Sequence, residues 1–288
     1  MPALIGWFQK RFDSRPLAIA RIIVGLAALM KIFIFAPSIR RFFSSTGTME
    51  FPVLFEPVIP RTETIALVLI LLWVGFAALF LIGFWTRLAG AGLAIVILAV
   101  ITFDQQLYSN HLYLLTTVVA LLTLAGAGGR YSLDAWNDGA RPSVPRWAAT
   151  LLKLQLTSVY FFAAVSKLNS GFLEGTIFQL AFEPSMLQWI EAWVDLGTLA
   201  IAAIVTELFL AIAFWIPRVR WVALAAAIGF HLANVVIMDR GGAVNLFIFG
   251  MIMFSMMLVF FEDRFQPIEV AEASESPDER EIPAPVRA

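Results

Sequence analysis

The sequence predicts an all-α protein: a polytopic bundle of about eight transmembrane helices with both termini in the cytoplasm. The first observation behind this fold class is the composition. Of the 288 residues, 60% are hydrophobic and only 14% are charged, and the mean hydropathy is +0.84. A soluble domain of this length has about a quarter charged residues. The excess apolar surface of this chain therefore needs lipid as its solvent.

The second observation is the length and spacing of the apolar segments. One membrane crossing needs about 20 mostly apolar residues. The apolar stretch of residues 63–103 is too long for one crossing, so we place a break at the short connection of residues 83–87. The predicted spans are 17–36, 63–84, 88–103, 111–126, 147–168, 197–216, 221–238 and 243–261.

The third observation is the distribution of lysine and arginine in the connections between spans. Cytoplasmic loops carry the excess of these residues. If the N-terminus is cytoplasmic, the residues on the cytoplasmic side are Lys10, Arg11, Arg15, Arg87, Arg130, Arg141, Arg146, Arg218, Arg220 and Arg264. The outer side then carries only Arg40, Arg41, Arg61 and Arg240. The sequence thus predicts a multi-pass protein of the cell membrane.

Domain organisation follows from the same pattern. The transmembrane domain covers residues 17–261, after a cytoplasmic interfacial segment of residues 1–16. Residues 262–288 are charged and rich in proline, which is typical of a disordered cytoplasmic tail. The outer segment of residues 169–196 mixes acidic residues with tryptophans, and we expect one interfacial or re-entrant helix that caps the bundle.

Composition also excludes several function classes. The chain has no cysteine, which rules out disulfides, thiolate catalysis and iron–sulfur clusters. It has only two histidines, so no metal site is expected. The net charge of −1 gives no support for a nucleic-acid partner.

Ionisable side chains inside spans are costly, and each is a candidate functional residue. This sequence places six such residues in or at the edge of its spans: Arg21, Lys31, His111, Lys167, Glu207 and His231. Three of them, on three different helices, fall in the outer half of the predicted membrane, namely His111, Lys167 and His231. We expect a site at that depth.

Each of these residues has an alternative structural interpretation. Lys167 could extend its ammonium to the headgroups at a span end, or it could be a base, because apolar neighbours favour the neutral amine. His111 could simply begin a helix that Asn110 caps. His231 and Asn234 share one helix face and could form hydrogen bonds between helices. Glu207 is expected to pair with a cation such as Arg21 or Lys31, or to be protonated.

Four motifs carry a family resemblance. The strings are Tyr160-Phe-Phe-Ala-Ala-Val-Ser-Lys167-Leu-Asn-Ser-Gly-Phe-Leu-Glu-Gly175, Ser109-Asn110-His111-Leu-Tyr113, Phe230-His231-Leu-Ala-Asn234 and Arg15-Pro-Leu-Ala-Ile-Ala-Arg21. The first three resemble elements of the vitamin K-dependent gamma-carboxylase family, and the fourth resembles the opening of the related HTTM (horizontally transferred transmembrane) domain. The similarity covers residues 15–261 in matching order.

This resemblance implies roles for the candidate residues. Lys167 would be the base that deprotonates a reduced quinol of the vitamin K or menaquinone type, which oxygen then converts to the epoxide. The strong base so formed would take a proton from a substrate glutamate, His111 would assist at the carbanion, and carbon dioxide would add. Asn110, Tyr113, His231 and Asn234 would bind substrate or cofactor. The implied partners are membrane lipid, a quinone and a secreted peptide or protein.

The sequence also departs from the carboxylases. They continue into a large extracytoplasmic domain, whereas this chain continues into a short tail, and Ser166-Lys167 stands where they have two lysines. In size the chain is closer to bacterial relatives that include a membrane protein needed to mature a sporulation-delaying peptide toxin. A non-enzymatic factor for maturation or export of a secreted peptide is therefore an alternative. A proton-coupled transporter using Glu207 and His231 is a third, weakened by the lack of an inverted repeat.

Overall fold

The fold is a helical bundle, seen in a computed structural model that describes residues 11–43 and 60–265. Two short strands, β1 (Arg11–Asp13) and β2 (Ser143–Pro145), pair antiparallel at its edge. The helices are α1 (Arg15–Phe43), α2 (Glu63–Ile82), α3 (Thr86–Phe103), α4 (Asn110–Ala125), α5 (Leu133–Asp138), α6 (Arg146–Ser166), α7 (Ser170–Leu173), α8 (Thr176–Ala181), α9 (Pro184–Glu191), α10 (Leu196–Ala213), α11 (Arg220–Ile237) and α12 (Arg240–Met257). Short 3₁₀ helices cover Gln105–Leu107, Ala127–Gly129 and Leu258–Arg264.

Within these residues, seven helices are long and apolar enough to cross a membrane, judged by length and composition: α1, α2, α3, α6, α10, α11 and α12. The predicted all-α polytopic bundle is confirmed. The remaining predicted span corresponds to α4, an apolar helix of 16 residues. At the helical rise it is ~24 Å long, somewhat less than the hydrocarbon thickness of about 30 Å.

A buried arginine joins three helices at one end of the bundle, which we call the amino-terminal end. Arg21, near the start of α1, donates from Nη1 to the carbonyls of Phe80 and Leu81 at 2.6 Å. Its Nη2 donates to the carbonyl of Tyr131, just after α4. The last carbonyls of a helix lack partners inside the helix, so the guanidinium caps α2. The contact to Tyr131 also shows that α4 crosses the bundle.

A second arginine marks the opposite end. Arg61, just before α2, pairs with Asp104 at 3.1 Å, and Asp104 directly follows α3. Arg61 also donates to the carbonyl of Phe42 at the end of α1, again at 3.1 Å. The first four helices therefore run between two ends, each fixed by a guanidinium on backbone carbonyls or a carboxylate.

The predicted break between the second and third spans is confirmed. Gly83 ends α2 in the left-handed region at φ 70°, where glycine has no Cβ penalty, and α3 begins at Thr86. A residue of α5 caps the start of α3. The carboxylate of Asp134 accepts hydrogen bonds from the N–H groups of Trp85 and Thr86, both at 2.8 Å.

The first helix runs further than predicted. We expected the span to end at Ala36 and a loop to begin at Pro37, but α1 continues through this proline to Phe43. Packing explains the extension, since Ile39 and Phe43 are fully buried. The ring of Phe43 stacks on that of Phe103, with centroids 3.9 Å apart. The rest of the predicted outer loop, residues 44–59, lies outside the described residues.

The two ends of the chain also differ from the predicted domain bounds. The predicted tail begins at residue 262, yet Glu262 lies in the last 3₁₀ helix and accepts a hydrogen bond from Lys153 Nζ at 2.9 Å. That contact holds the start of the predicted tail against α6. At the other terminus, Arg11 belongs to β1 and pairs with Pro145 of β2. Residues 1–10 and 266–288 lie outside the described residues.

The segment between α6 and α10 contains three short helices, α7 to α9, in place of the single helix we expected. It is tied to the opposite end of the bundle, since the amide of Glu183 donates to the carbonyl of Ile237 at the end of α11 at 3.0 Å. Its outer side shows large apolar side chains, with Leu180, Trp189 and Trp193 all exposed. Tryptophan on such a surface is typical of a membrane interface.

Candidate functional site

A cavity of about 710 Å³ lies near the opposite end of the bundle, between α4, α6, α10, α11 and α12 and the short helices α7 and α8. We call it the polar cavity. All six predicted site residues line it: Asn110, His111, Tyr113, Lys167, His231 and Asn234. The structure thus brings together residues that the sequence placed at one depth but on three helices.

Lys167 and Glu207 form an ion pair on this cavity. Lys167 directly follows α6, and its Nζ donates to both carboxylate oxygens of Glu207 at 2.8 Å and to the carbonyl of Ala163 at 3.3 Å. Nζ also lies 5.6 Å from the ring centroid of Phe172. The lysine therefore turns into the bundle, and the alternative of an ammonium extended to the headgroups is wrong.

The partner of Glu207 also differs from the sequence-based expectation, which was Arg21 or Lys31. Arg21 binds backbone carbonyls at the amino-terminal end, and Lys31 Nζ donates to Asn245 Oδ1 at 2.7 Å. The side chain of Glu207 is only 6% exposed. The free energy needed to remove two charges from water is usually larger than the free energy gained by pairing them. A pair in this position is therefore more readily explained by what it does in the cavity than by stability.

A second hydrogen bond crosses between helices in the same cavity. The Tyr160 hydroxyl lies 3.0 Å from His231 Nε2 and joins α6 to α11. The interhelical bond expected for His231 is confirmed, but its partner was not foreseen. Tyr160 precedes Lys167 by seven residues, or two turns, so both side chains share one face of the helix axis. This shared face is the sequence feature that could have placed Tyr160 at the site of Lys167.

Phe249 of α12 packs between the two histidines. The His111 ring stacks on it, with centroids 4.6 Å apart at 27°. The His231 ring meets it edge-on, with centroids 5.7 Å apart at 66°. The phenyl ring fixes the orientation of one imidazole by its face and of the other by its edge. Both histidines of the chain are therefore held in one aromatic cluster on the wall of the polar cavity.

The remaining predicted binding residues have local partners. Asn110 Oδ1 accepts from the Tyr108 hydroxyl at 3.0 Å. The cap of α4 is Ser109, so the alternative in which Asn110 caps this helix is wrong. Asn234 Nδ2 donates to the carbonyl of Phe230 in its own helix at 3.0 Å. Tyr113 lines the cavity with 53% of its surface exposed.

The rest of the cavity wall is largely apolar and includes five more phenylalanines. These are Phe162, Phe172, Phe178, Phe182 and Phe230. Across residues 11–43 and 60–265, no three His, Asp or Glu side chains come together as metal ligands. The cavity thus offers flat apolar walls with a few polar groups, an arrangement suited to an organic ring with polar substituents.

The HTTM domain family matches residues 9–265, which is most of the chain. The chain belongs to the HTTM family. No solved structure matches it. Family membership and seven apolar helices together make it a multi-pass integral membrane protein of the HTTM family. The matched region includes every residue that lines the polar cavity.

Proposed function

We propose that this HTTM-family protein is a membrane enzyme that takes a proton from a reduced quinol of the vitamin K or menaquinone type in the polar cavity. One observation carries the proposal. The Lys167–Glu207 pair and the Tyr160–His231 hydrogen bond both lie on one phenylalanine-lined cavity. Four groups that can give or accept protons thus surround a space large enough for a small molecule.

The residues present fit such a quinol. A volume of about 710 Å³ lies inside the usual range of small-molecule sites, which is roughly 300–1,000 Å³. The phenyl rings of Phe178 and Phe182 offer faces for a flat ring. A quinol carries two hydroxyls, and the cavity provides two sets of polar partners, one at Glu207 and one at His231.

The Lys167–Glu207 pair would act as the base. A carboxylate and an amine at 2.8 Å share one proton between them. A hydroxyl that donates to this pair can pass a second proton to it, which leaves both partners protonated. The side chain of Glu207 is only 6% exposed, so the transfer to it depends on the two side chains more than on bulk water. Glu207 is therefore assigned to the base together with Lys167.

The other cavity residues would bind and orient. His231, held by the Tyr160 hydroxyl, positions a second polar group of the ligand. His111, stacked on Phe249, faces the space from the α4 side, where the resemblance puts the substrate carbanion. When bound, the quinol would supply through its oxidation by oxygen the strong base that carboxylation needs.

The test is turnover by the purified full chain in lipid nanodiscs. The protein receives a reduced naphthoquinone with an isoprenoid chain, oxygen, labelled bicarbonate and a glutamate-containing peptide as acceptor, and both epoxide and carbon fixed on the peptide are measured. We expect epoxide formation that falls by about 100-fold or more in Lys167→Met, the loss typical of a removed general base. Wild-type turnover no higher than that of Lys167→Met would overturn the proposal.

A further inference from the structure

A second cavity, of about 410 Å³, lies between α11 and α12. We call it the apolar groove. Ile228, Leu232 and Val235 of α11 form one wall at the spacing of a single helix face, and α12 forms the other. Apart from His231, every side chain that lines it is apolar. Leu232 and Phe247 are 53% and 45% exposed, so the groove opens on the lipid-facing side of the bundle.

The apolar groove and the polar cavity meet at two residues. His231 and Leu246 line both of them. The His231 ring bonds to Tyr160 on the side of the polar cavity. On the other side it lies beside Gly250, where an added Cβ would be 3.6 Å from His231 Cβ. The two cavities therefore share a wall at His231 and Leu246.

The direction of the groove is set by its lining on α12. Leu246 lies nearest the opposite end and Met257 nearest the amino-terminal end. These residues are eleven apart, which is ~16 Å along the helix axis. Ile23 of α1 lines the groove as well. The groove thus runs parallel to the spans, from the depth of His231 to the last residue of α12 at the amino-terminal end of the bundle.

We propose that the apolar groove binds the hydrocarbon chain of the same molecule whose ring occupies the polar cavity. The occupant is the isoprenoid chain of the quinol, so this inference rests on the proposed function. The two residues shared by both cavities, His231 and Leu246, support one molecule rather than two, because its ring and its chain would lie against opposite sides of them. The lining is as apolar as the lipid it faces, so the groove contributes orientation more than hydrophobic gain.

Gly250 gives a variant that fills the groove. A Cβ at this position makes only ordinary contacts, and leucine favours a helix more than glycine does. Gly250→Leu places a branched side chain in the path of the ligand chain. Gly250→Ala is the matched control, since it adds one methyl group and leaves the rest of the groove open.

The experiment measures the Kd of two probes in nanodiscs: 2-methyl-1,4-naphthoquinol without a chain, and the same ring with a long isoprenoid chain. We expect Gly250→Leu to weaken binding of the long-chain probe about tenfold, the effect of overfilling a packed site. The chainless probe should bind as in wild type, and Gly250→Ala should leave both values unchanged.

Two outcomes would overturn the groove assignment alone. Either Gly250→Leu has the same effect on both probes, or it displaces a co-purified phospholipid, measured by mass spectrometry, while the long-chain quinol binds as before. In both cases the chainless quinol still binds and the proposed function stands. If wild-type protein does not bind the chainless quinol, the proposed function itself fails.

Discussion

Two lysines, Lys153 within α6 and Lys167 directly after it, each pair with a glutamate, and the two pairs can be compared. Lys153 Nζ lies 2.9 Å from Glu262, and Lys167 Nζ lies 2.8 Å from Glu207. The lysines are 14 residues apart, or ~21 Å along the helix. Both pairs are mostly buried, and in each the carboxylate comes from a distant part of the chain.

The surroundings of the two pairs differ. Lys153–Glu262 is packed in, with Lys153 Nζ 5.4 Å from the Phe260 ring centroid and Arg146 Nη2 3.9 Å from Glu262. It lines neither of the two cavities. Lys167–Glu207 lies on the polar cavity. The same type of ion pair thus holds the segment around Glu262 against α6 in one place and lies on a ligand-sized space in the other. Residue type alone therefore does not identify a site.

The largest expected effect separates the pairs by turnover. Glu207→Gln removes the carboxylate of the base and should lower epoxide formation by about 100-fold or more. Glu262→Gln makes the same chemical change at the other pair and should leave turnover per folded molecule unchanged. The assay is the nanodisc reaction, with rates divided by the folded fraction from size-exclusion chromatography. Equal losses in the two variants would remove the functional distinction between the pairs.

The next effect is one that the two pairs should share. Lys167→Met leaves the buried carboxylate of Glu207 without its lysine, which costs about 3 kcal/mol of stability. Lys153→Met leaves Glu262 with only the more distant Arg146 and should cost somewhat less. The double variants Lys153→Met/Glu262→Met and Lys167→Met/Glu207→Met should recover most of it. Unfolding midpoints followed by tryptophan fluorescence check this prediction. Recovery of stability without recovery of turnover at Lys167–Glu207 would identify a functional pair, and recovery of both would contradict the proposed base.

A smaller effect is expected at Tyr160. Tyr160→Phe removes the hydroxyl that bonds to His231 Nε2 but keeps the ring. Interhelical hydrogen bonds in membranes contribute about 0.6 kcal/mol on average, so we expect a slight loss of stability and a severalfold weaker quinol Kd. Thr157→Val is the control, because it removes another hydroxyl of α6, one that accepts from Trp215 Nε1 at 2.8 Å and lines neither cavity. Equal changes in Kd for both variants would argue against His231 as a binding residue.

The smallest effect concerns the amino-terminal end and depends on pH. Partial burial raises the pKa of Asp134, but hydrogen bonds from Thr86 and Trp85 outweigh it and hold the pKa below its usual 3.8. Its cap on α3 therefore contributes fully above about pH 4 and is lost as the pH falls through the lowered value. Asp134→Asn should cost about 0.5 kcal/mol at pH 7, within the usual contribution of a negative charge at a helix N-terminus.

The check for Asp134 is the unfolding midpoint of both proteins between pH 7 and pH 3. The difference in unfolding midpoint between wild type and Asp134→Asn should become smaller as the pH falls. Asp138, exposed at the end of the same helix, provides the control, and Asp138→Asn should show no gap at any pH. A gap for Asp134→Asn that persists at pH 3 would mean that its carboxylate charge does not strengthen the cap.

The sequence predicted the depth of the site residues but not their partners. Span ends fix the position of a residue along a helix axis, and so His111, Lys167 and His231 were correctly expected near one another. Rotation about that axis is poorly specified in a span where nearly every residue is apolar. The partner of Glu207 was therefore predicted wrongly, and Tyr160 was missed within an aromatic run.

The helix ends that were predicted wrongly depend on residues far away in sequence. Pro37 looked like the start of a loop, but α1 continues because Phe43 packs on Phe103. Glu262 looked like the start of a tail, but Lys153 binds it. Neither contact leaves a local trace in composition or hydropathy. The roles of the six cavity residues remain predictions that the turnover and binding experiments address.

Arg21 has a consequence for how the chain enters the membrane during synthesis. Its guanidinium is inserted with the first helix, while the carbonyls that bind it belong to Phe80, Leu81 and Tyr131. A charge in the bilayer without partners is costly. The nascent first helix carries that cost until the ribosome has passed Tyr131. The first four helices and the segment up to Tyr131 are therefore the smallest part of this protein that gives both Nη groups of Arg21 their backbone partners.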